Sequence, residues 1–301
     1  MKRIVTLTLL ICWLAVSTSA RAEFSLVIVK SSDNRFFNAS IESLQSNLPK
    51  DIRTSVTVLD VDNPAATRVD VADLIITLGY DAMQWSASRT DGIAVLHAYL
   101  TEFQYRQHPS PKGHASILLD QPLERYIRFA RLLLAPKRVG ILSSPDNPIG
   151  KHKLQAIETQ QQIDINESIY QPDDNLIDTL RHLLKGSELL MALPAPEIYN
   201  QKNLKGILLT AYRMNRPMLS YSPSHVTSGA LGAIFTSPEN IGKQLAELST
   251  TMLRNPRFEP HPFYYASDFD IAINDNVARS LNLKIPRREA LMQSVKQESS
   301  R

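Results

Sequence analysis

From Phe24 the sequence alternates short β-branched runs with longer amphipathic stretches, does so again from Arg138, and few folds accept that order. Runs at 24–29, 55–60, 73–78, 93–98 and 116–119 predict strands, with helices over 36–48 and 122–134. The run DLIITL at 73–78 is apolar on both faces, as a buried parallel strand is. The second series predicts strands at 138–142, 165–169, 188–193 and 217–221, and helices at 151–162, 176–184 and 203–214. Repeated βα units with right-handed crossovers build doubly wound parallel sheets, so an α/β protein of two similar lobes is expected. The length of 301 residues agrees, since single cores tend to split beyond roughly 250 residues.

After Tyr221 the pattern predicts a loop at 222–229, a strand at 230–235, a helix at 239–253, strand character over 263–273 and a helix at 275–283. On this reading lobe 1 holds residues 23–118 and 236–262, lobe 2 holds 119–235 and 263–286, and crossing segments form a hinge. Residues 287–301 are polar and read as a flexible tail.

The first 22 residues have the parts of a secretory leader: Lys2 and Arg3, an apolar run at 4–16, and Ala20-Arg21-Ala22, which fits the small-x-small cleavage rule. Cleavage is expected after Ala22. The apolar run is shorter than the roughly 20 residues that span a bilayer, so it reads as a leader and not an anchor. Cys12 lies inside that run between Ile11 and Trp13 and reads as one of its apolar residues, not a lipid attachment point. Its removal leaves no cysteine, which suits an oxidising compartment, and the expected location is the periplasm.

The chain carries 33 Lys and Arg against 30 Asp and Glu, and the excess is Lys2, Arg3 and Arg21, all in the leader. The remainder is formally neutral and has no basic field for phosphates, so neither nucleic acid nor an anionic membrane surface is an expected partner. No nucleophile elbow, phosphate loop, zinc-helix motif or dinucleotide fingerprint occurs, and the seven histidines lack ligand spacing. No catalytic residue, metal site or cofactor is expected. Asp81 and Asp146 each follow a strand near a helix start, where Asp caps a helix or, paired across a cleft, could do acid–base work.

Open α/β sheets bind ligands outside the carboxyl ends of their strands, and those ends are polar here. They present Ser32 and Asp33, then Gly79, Tyr80 and Asp81, then Tyr99, Ser144 and Asp146, Glu197, and Tyr221, Ser222 and Ser224. These are the candidate ligand-binding residues.

Four stretches carry a family resemblance: DLIITLGYDA from Asp73, LPAPEIYNQKNLKGIL from Leu193, RPMLSYSPSHVTSGALGAIFTSPENIGKQLAEL from Arg216 and IAINDNVARSLNLKIP from Ile271. Together they resemble the periplasmic substrate-binding components of ABC transporters with the type I binding-protein fold, in the subfamily of tryptophan/tyrosine-type binders. The resemblance implies two lobes joined by three crossing segments that close over a small molecule. It places residues 79–82 and 143–147 on opposite cleft walls, with Tyr221, Ser222, Ser224 and Gly229 in a later cleft segment. Members that bind amino acids carry an acid where this chain has Ala195-Pro196, and Glu197 lies two places on. Tyr80 stands where a small residue is usual, and Trp85 reads as helix core.

The expectation is a monomeric, exported solute-binding protein that takes a small organic ligand to an ABC permease. The alternatives are a periplasmic sensor that presents its closed form to a membrane receptor, and an enzyme built on Asp81 and Asp146.

Overall fold

The computed structural model describes residues 23–62, 69, 71–87 and 92–299, so the leader and its cleavage site lie outside the described residues. In chain order the first unit runs β1 (Phe24–Lys30), α1 (Arg35–Asn47), β2 (Thr54–Asp60), β3 (Leu74–Leu78), α2 (Tyr80–Ser86), β4 (Ala94–Leu100), α3 (Glu102–Gln107) and β5 (Ala115–Leu118). The second runs α4 (Leu123–Leu134), β6 (Arg138–Ser143), α5 (Lys151–Gln161), β7 (Asp164–Ile169), α6 (Leu176–Lys185), β8 (Leu189–Met191), α7 (Gln201–Arg213), β9 (Met218–Ser220), α8 (Pro223–Ser228) and β10 (Gly232–Phe235). The chain then returns through α9 (Pro238–Arg254), β11 (Phe263–Tyr265), β12 (Asp270–Ile273), α10 (Asp275–Ser280) and α11 (Arg288–Ser299).

Two six-stranded sheets result, in the orders β11-β5-β4-β3-β1-β2 and β12-β10-β9-β8-β6-β7. Every pair is parallel except β10 with β12. The central strand β3 is buried at every position, whereas the edge strand β2 has no buried residue. That contrast follows from helices covering both faces of a parallel sheet. In lobe 1, Leu26, Ile28, Leu74, Ile76 and Leu96 face α1 and α9, while Val27, Val29, Ile75 and Val95 pack with Trp85 of α2, which is core as expected.

Three parts of the sequence reading are corrected. The strand expected over 263–273 breaks at Ala266: Phe263–Tyr265 pairs with β5 in the first sheet, and Asp270–Ile273 pairs with β10 in the second. Residues 263–265 therefore belong to lobe 1, and the break is a lobe crossing hidden inside one apolar pattern. Within the stretch read as a tail, Arg288–Ser299 form a helix whose Leu291 and Val295 are 2% and 0% exposed against the core around α4, so this helix belongs to lobe 2. The loop expected at 222–229 contains α8, started by the Ser222 side chain on the Ser224 N–H with Pro223 in its first turn.

The chain crosses between lobes at 119–122, 236–237 and 266–269, and side chains join the three crossings. Gln121 Nε2 donates to Thr236 Oγ1 at 2.7 Å, and Thr236 Oγ1 donates to the Asp268 carbonyl at 3.1 Å. Arg125 donates to Gln121 Oε1 and to the Ala266 carbonyl, the latter at 3.0 Å.

The return helix α9 lies on α1 so closely that a Cβ on Gly242 would stand 2.3 Å from the Ser40 carbonyl oxygen and 2.9 Å from the Leu44 nitrogen. Backbone cannot yield as a flexible side chain can. Gly242→Ala should cost about 1–3 kcal/mol in urea unfolding, whereas Gly150→Ala, where nothing stands within 4 Å, should change stability by less than about 0.5 kcal/mol.

Candidate functional site

The carboxyl ends of both sheets face one interlobe cleft. Lobe 1 supplies the ends of β3, β4 and β5, and lobe 2 the ends of β6 and β8. Two spaces lie there, of about 70 and about 270 Å³, and Asn147 and Pro194 line both. The smaller is walled by Glu102, Arg106, Asp120 and Gln121 on one side and by Ser143, Ser144, Ile149 and Lys153 on the other. The larger is lined by Tyr80, Thr101, Phe103, Gln104, Gln107, Pro196 and Glu197. A roomier hollow of about 1190 Å³ lies within lobe 1, with Phe24, Asp73 and His114 at the starts of strands among its walls. Position decides between them, because ligands of open α/β sheets bind at strand carboxyl ends.

The short helix α3 carries the lobe 1 wall, and its start is doubly secured. Thr101 Oγ1 accepts the Gln104 N–H at 3.1 Å while Gln104 Oε1 accepts the Thr101 N–H at 3.0 Å, a reciprocal cap. Asp120 Oδ2, from just beyond β5, accepts the Glu102 N–H at 2.6 Å. Glu102 in turn accepts the Tyr265 hydroxyl at 2.7 Å and pairs with Arg106.

The two carboxylates at this helix start differ in their electrostatics. Asp120 is 9% exposed, and burial pushes its pKa up to about 7 against the pull of the Glu102 N–H, with the Glu102 charge pushing the same way as burial. Burial pushes Glu102 up as well, but the Tyr265 hydroxyl, Lys153 and Arg106 outweigh it and hold the carboxyl below its ordinary value. One wall of the cleft therefore combines an ionised carboxylate with a second acid that titrates near neutrality, and Arg106 and Lys153 supply positive charge. Such a lining offers hydrogen-bonding groups and charges of both signs.

Of the sequence candidates, Tyr80, Ser144 and Glu197 are brought into the cleft. Tyr80 accepts a hydrogen bond from Gln84 at 3.2 Å and tilts against His108 at 5.7 Å between ring centroids. The others have local roles or face solvent. Asp33 is exposed, and Lys30 at 2.7 Å holds its carboxyl below the usual range. Ser32 accepts from Asn34 at 3.2 Å in the same turn. Gly79, at φ 93°, begins α2 where a Cβ would meet Ser31 Oγ at 2.6 Å, and that hydroxyl is needed because it accepts the Ala82 N–H at 2.9 Å. Asp81 and Asp146 are exposed, and neither lines the cleft.

Tyr99 turns away from the cleft. A register shift between Ala98 and Leu100 puts it at φ 64°, so its ring meets Phe37 at 4.8 Å and its hydroxyl lies 2.6 Å from Ser40 Oγ. Ser222 and Ser224 are 2.8 Å apart at the start of α8, with Ser222 as the cap. Tyr221 packs edge-on to Tyr199 and His225, and burial raises its pKa to about 12, with Glu197 and Asp120 adding to the rise. The sequence reading missed Glu102, Arg106, Asp120, Gln121 and Lys153, although Thr101-x-x-Gln104 is a legible capping signature that places α3.

Asp120 makes stability depend on pH. A carboxyl whose pKa is raised by folding stabilises the fold most below its unfolded pKa, and that contribution is lost as pH rises through about 7. Asp120→Asn keeps an acceptor for Glu102 without the charge. Relative to wild type it should gain stability as pH rises from about 5 to about 8, by up to roughly 3 kcal/mol in urea unfolding. A difference that stays constant across that range would contradict the burial argument.

No family model and no curated protein sequence matches the chain. Solved structures do match its fold. The ligand-free, open structure of a substrate-binding protein with adhesive properties from Clostridium difficile superposes with a TM-score of 0.69 at 14% identity, covering 88% of this chain and 97% of that one. An ABC domain in complex with L-Trp from Streptococcus pneumonia gives 0.57 at 14% identity, covering 89% and 98%. A solute-binding protein of an ABC transporter system from Conexibacter woesei gives 0.52 at 16%, covering 92% and 95%. With these matches and two parallel-dominated sheets joined by three crossings, the chain has the type I periplasmic binding-protein fold.

Proposed function

We propose that this protein is an exported solute-binding protein that captures a small polar organic ligand between its lobes and delivers it to an ABC permease. The observation that carries the reading is the cleft itself. It lies at the strand ends of both sheets, its walls come from both lobes, and the three crossings that join those lobes meet in one hydrogen-bonded cluster. Hinge closure over a ligand needs that arrangement. The leader supports export to the periplasm, and no helix among the described residues is long and apolar enough to cross a membrane.

Binding without turnover is the better reading of the same residues. The pair on which an enzyme would depend, Asp81 and Asp146, is exposed and outside the cleft lining. The solved structures of similar fold with TM-scores from 0.52 to 0.69 include solute-binding and substrate-binding proteins. The cleft charges Glu102, Asp120, Arg106 and Lys153 favour a ligand with both donor and acceptor groups over an apolar one.

Thermal unfolding against a panel of amino acids, purines, sugars and small carboxylates tests the reading. A compound at a hundred times its Kd should stabilise the fold by about 2.7 kcal/mol. Asn147→Trp, which fills the junction of the two cleft spaces, should abolish the shift and leave the ligand-free midpoint within a few degrees of wild type. A panel with no saturable shift, or a shift that the Trp variant keeps, counts against capture between the lobes.

A further inference from the structure

Asp120 occupies an unusual place for a buried acid. It sits on the first crossing between lobes, one residue before Gln121, whose amide joins that crossing to the second and, through Thr236, to the third. It also accepts the first N–H of α3, the helix that forms the lobe 1 wall of the cleft. Lys153, on α5 of lobe 2, lines the same space as Asp120 and Glu102 and is near enough to stabilise the Glu102 charge.

We infer that lobe closure is coupled to a proton held by the Asp120–Glu102 pair, with Lys153 as the group on the opposite lobe that senses it. The inference rests on reading the interlobe space as a cleft that closes, and it concerns the regulation of that site. With both carboxylates ionised, lobe 1 presents two negative charges to Lys153, one of them already paired with Arg106. With Asp120 protonated it presents one. Closure that moves Lys153 inward favours the ionised form of Asp120, so by linkage a rise in pH favours closure. Burial raises the Asp120 pKa to about 7, which places the response close to neutrality.

The surrounding groups do not mask the effect. Arg106 on α3 is paired with Glu102, and Arg125 on α4 donates into the hinge at Gln121 and Ala266. Glu124 lies in the first turn of α4, and Tyr126, Tyr221 and Tyr265 face the acid as phenols whose pKa values are all raised by burial, so none of the three ionises near neutrality.

Small-angle X-ray scattering of the ligand-free protein, recorded from about pH 5.5 to about pH 8.5, reads lobe closure directly. The wild type should contract as pH rises, with a midpoint near neutral. Asp120→Asn and Lys153→Met should each give a radius of gyration that is flat over the range, with circular dichroism unchanged. If Asp120→Asn fails to fold, Lys153→Met decides alone. A flat wild-type profile, or a contraction that survives in either folded variant, overturns the inference. No ligand enters the experiment, so a failed ligand panel leaves this inference standing, and a flat profile leaves ligand capture standing.

Discussion

The hydrogen-bonded junction of the three crossings is the constraint on which the rest of the molecule depends. Each lobe is a complete βα layer with its own core, and little but these segments tells one where the other lies. Gln121, Thr236 and Asp268 come from parts of the chain that are remote in sequence, and each crossing is satisfied by a neighbour. Asp268 adds ion pairs to Lys243 of α9 at 3.2 Å and to Lys296 of α11 at 3.6 Å, joining the return helix of lobe 1 to the last helix of lobe 2. Surface pairs of this kind contribute little stability singly. Here they fix direction, holding the third crossing against two helices of known position.

The lobes and most of their elements were legible because parallel strands and amphipathic helices write different periods into a sequence. Leu74, Ile75 and Ile76 announce a strand buried on both faces, and Leu180, Leu183 and Leu184 a helix with one buried stripe. The lobe crossing inside 263–273 was not legible, because a strand leaving one sheet and a strand entering the next share the same alternation. Only pairing partners distinguish them. Leu291 and Val295 were overlooked for a related reason: two apolar residues four apart among charged ones are enough to dock a helix on an existing groove but too few to stand out.

The site was less legible than the fold. Strand ends could be located, but which of their side chains enter the cleft depends on backbone conformation. Tyr99 shows this, since a single positive φ moves its ring from the cleft end of β4 to the α1 face. Ser31, Asn34 and Ser222 cap helices, which polar residues after strands often do. The charged wall comes instead from α3 and from Asp120, where the sequence shows a short polar helix and a single acid two places before a proline, neither of which advertises burial.

The seating of α9 on α1 has a consequence for how the chain acquires its shape. Lobe 2 draws most of its sheet from one continuous stretch, β6 through β10, and can assemble as that stretch becomes available. Lobe 1 cannot be finished from its own opening segment. Ile41 and Leu44 of α1 meet Ile241 and Leu245 of α9, and β5 meets β11, and both α9 and β11 follow the continuous β6–β10 stretch of lobe 2 in the chain. The first lobe begun therefore stays unfinished until the chain has returned from lobe 2, and a chain ending before α9 would leave a sheet face and a helix stripe open to any other apolar surface it encountered.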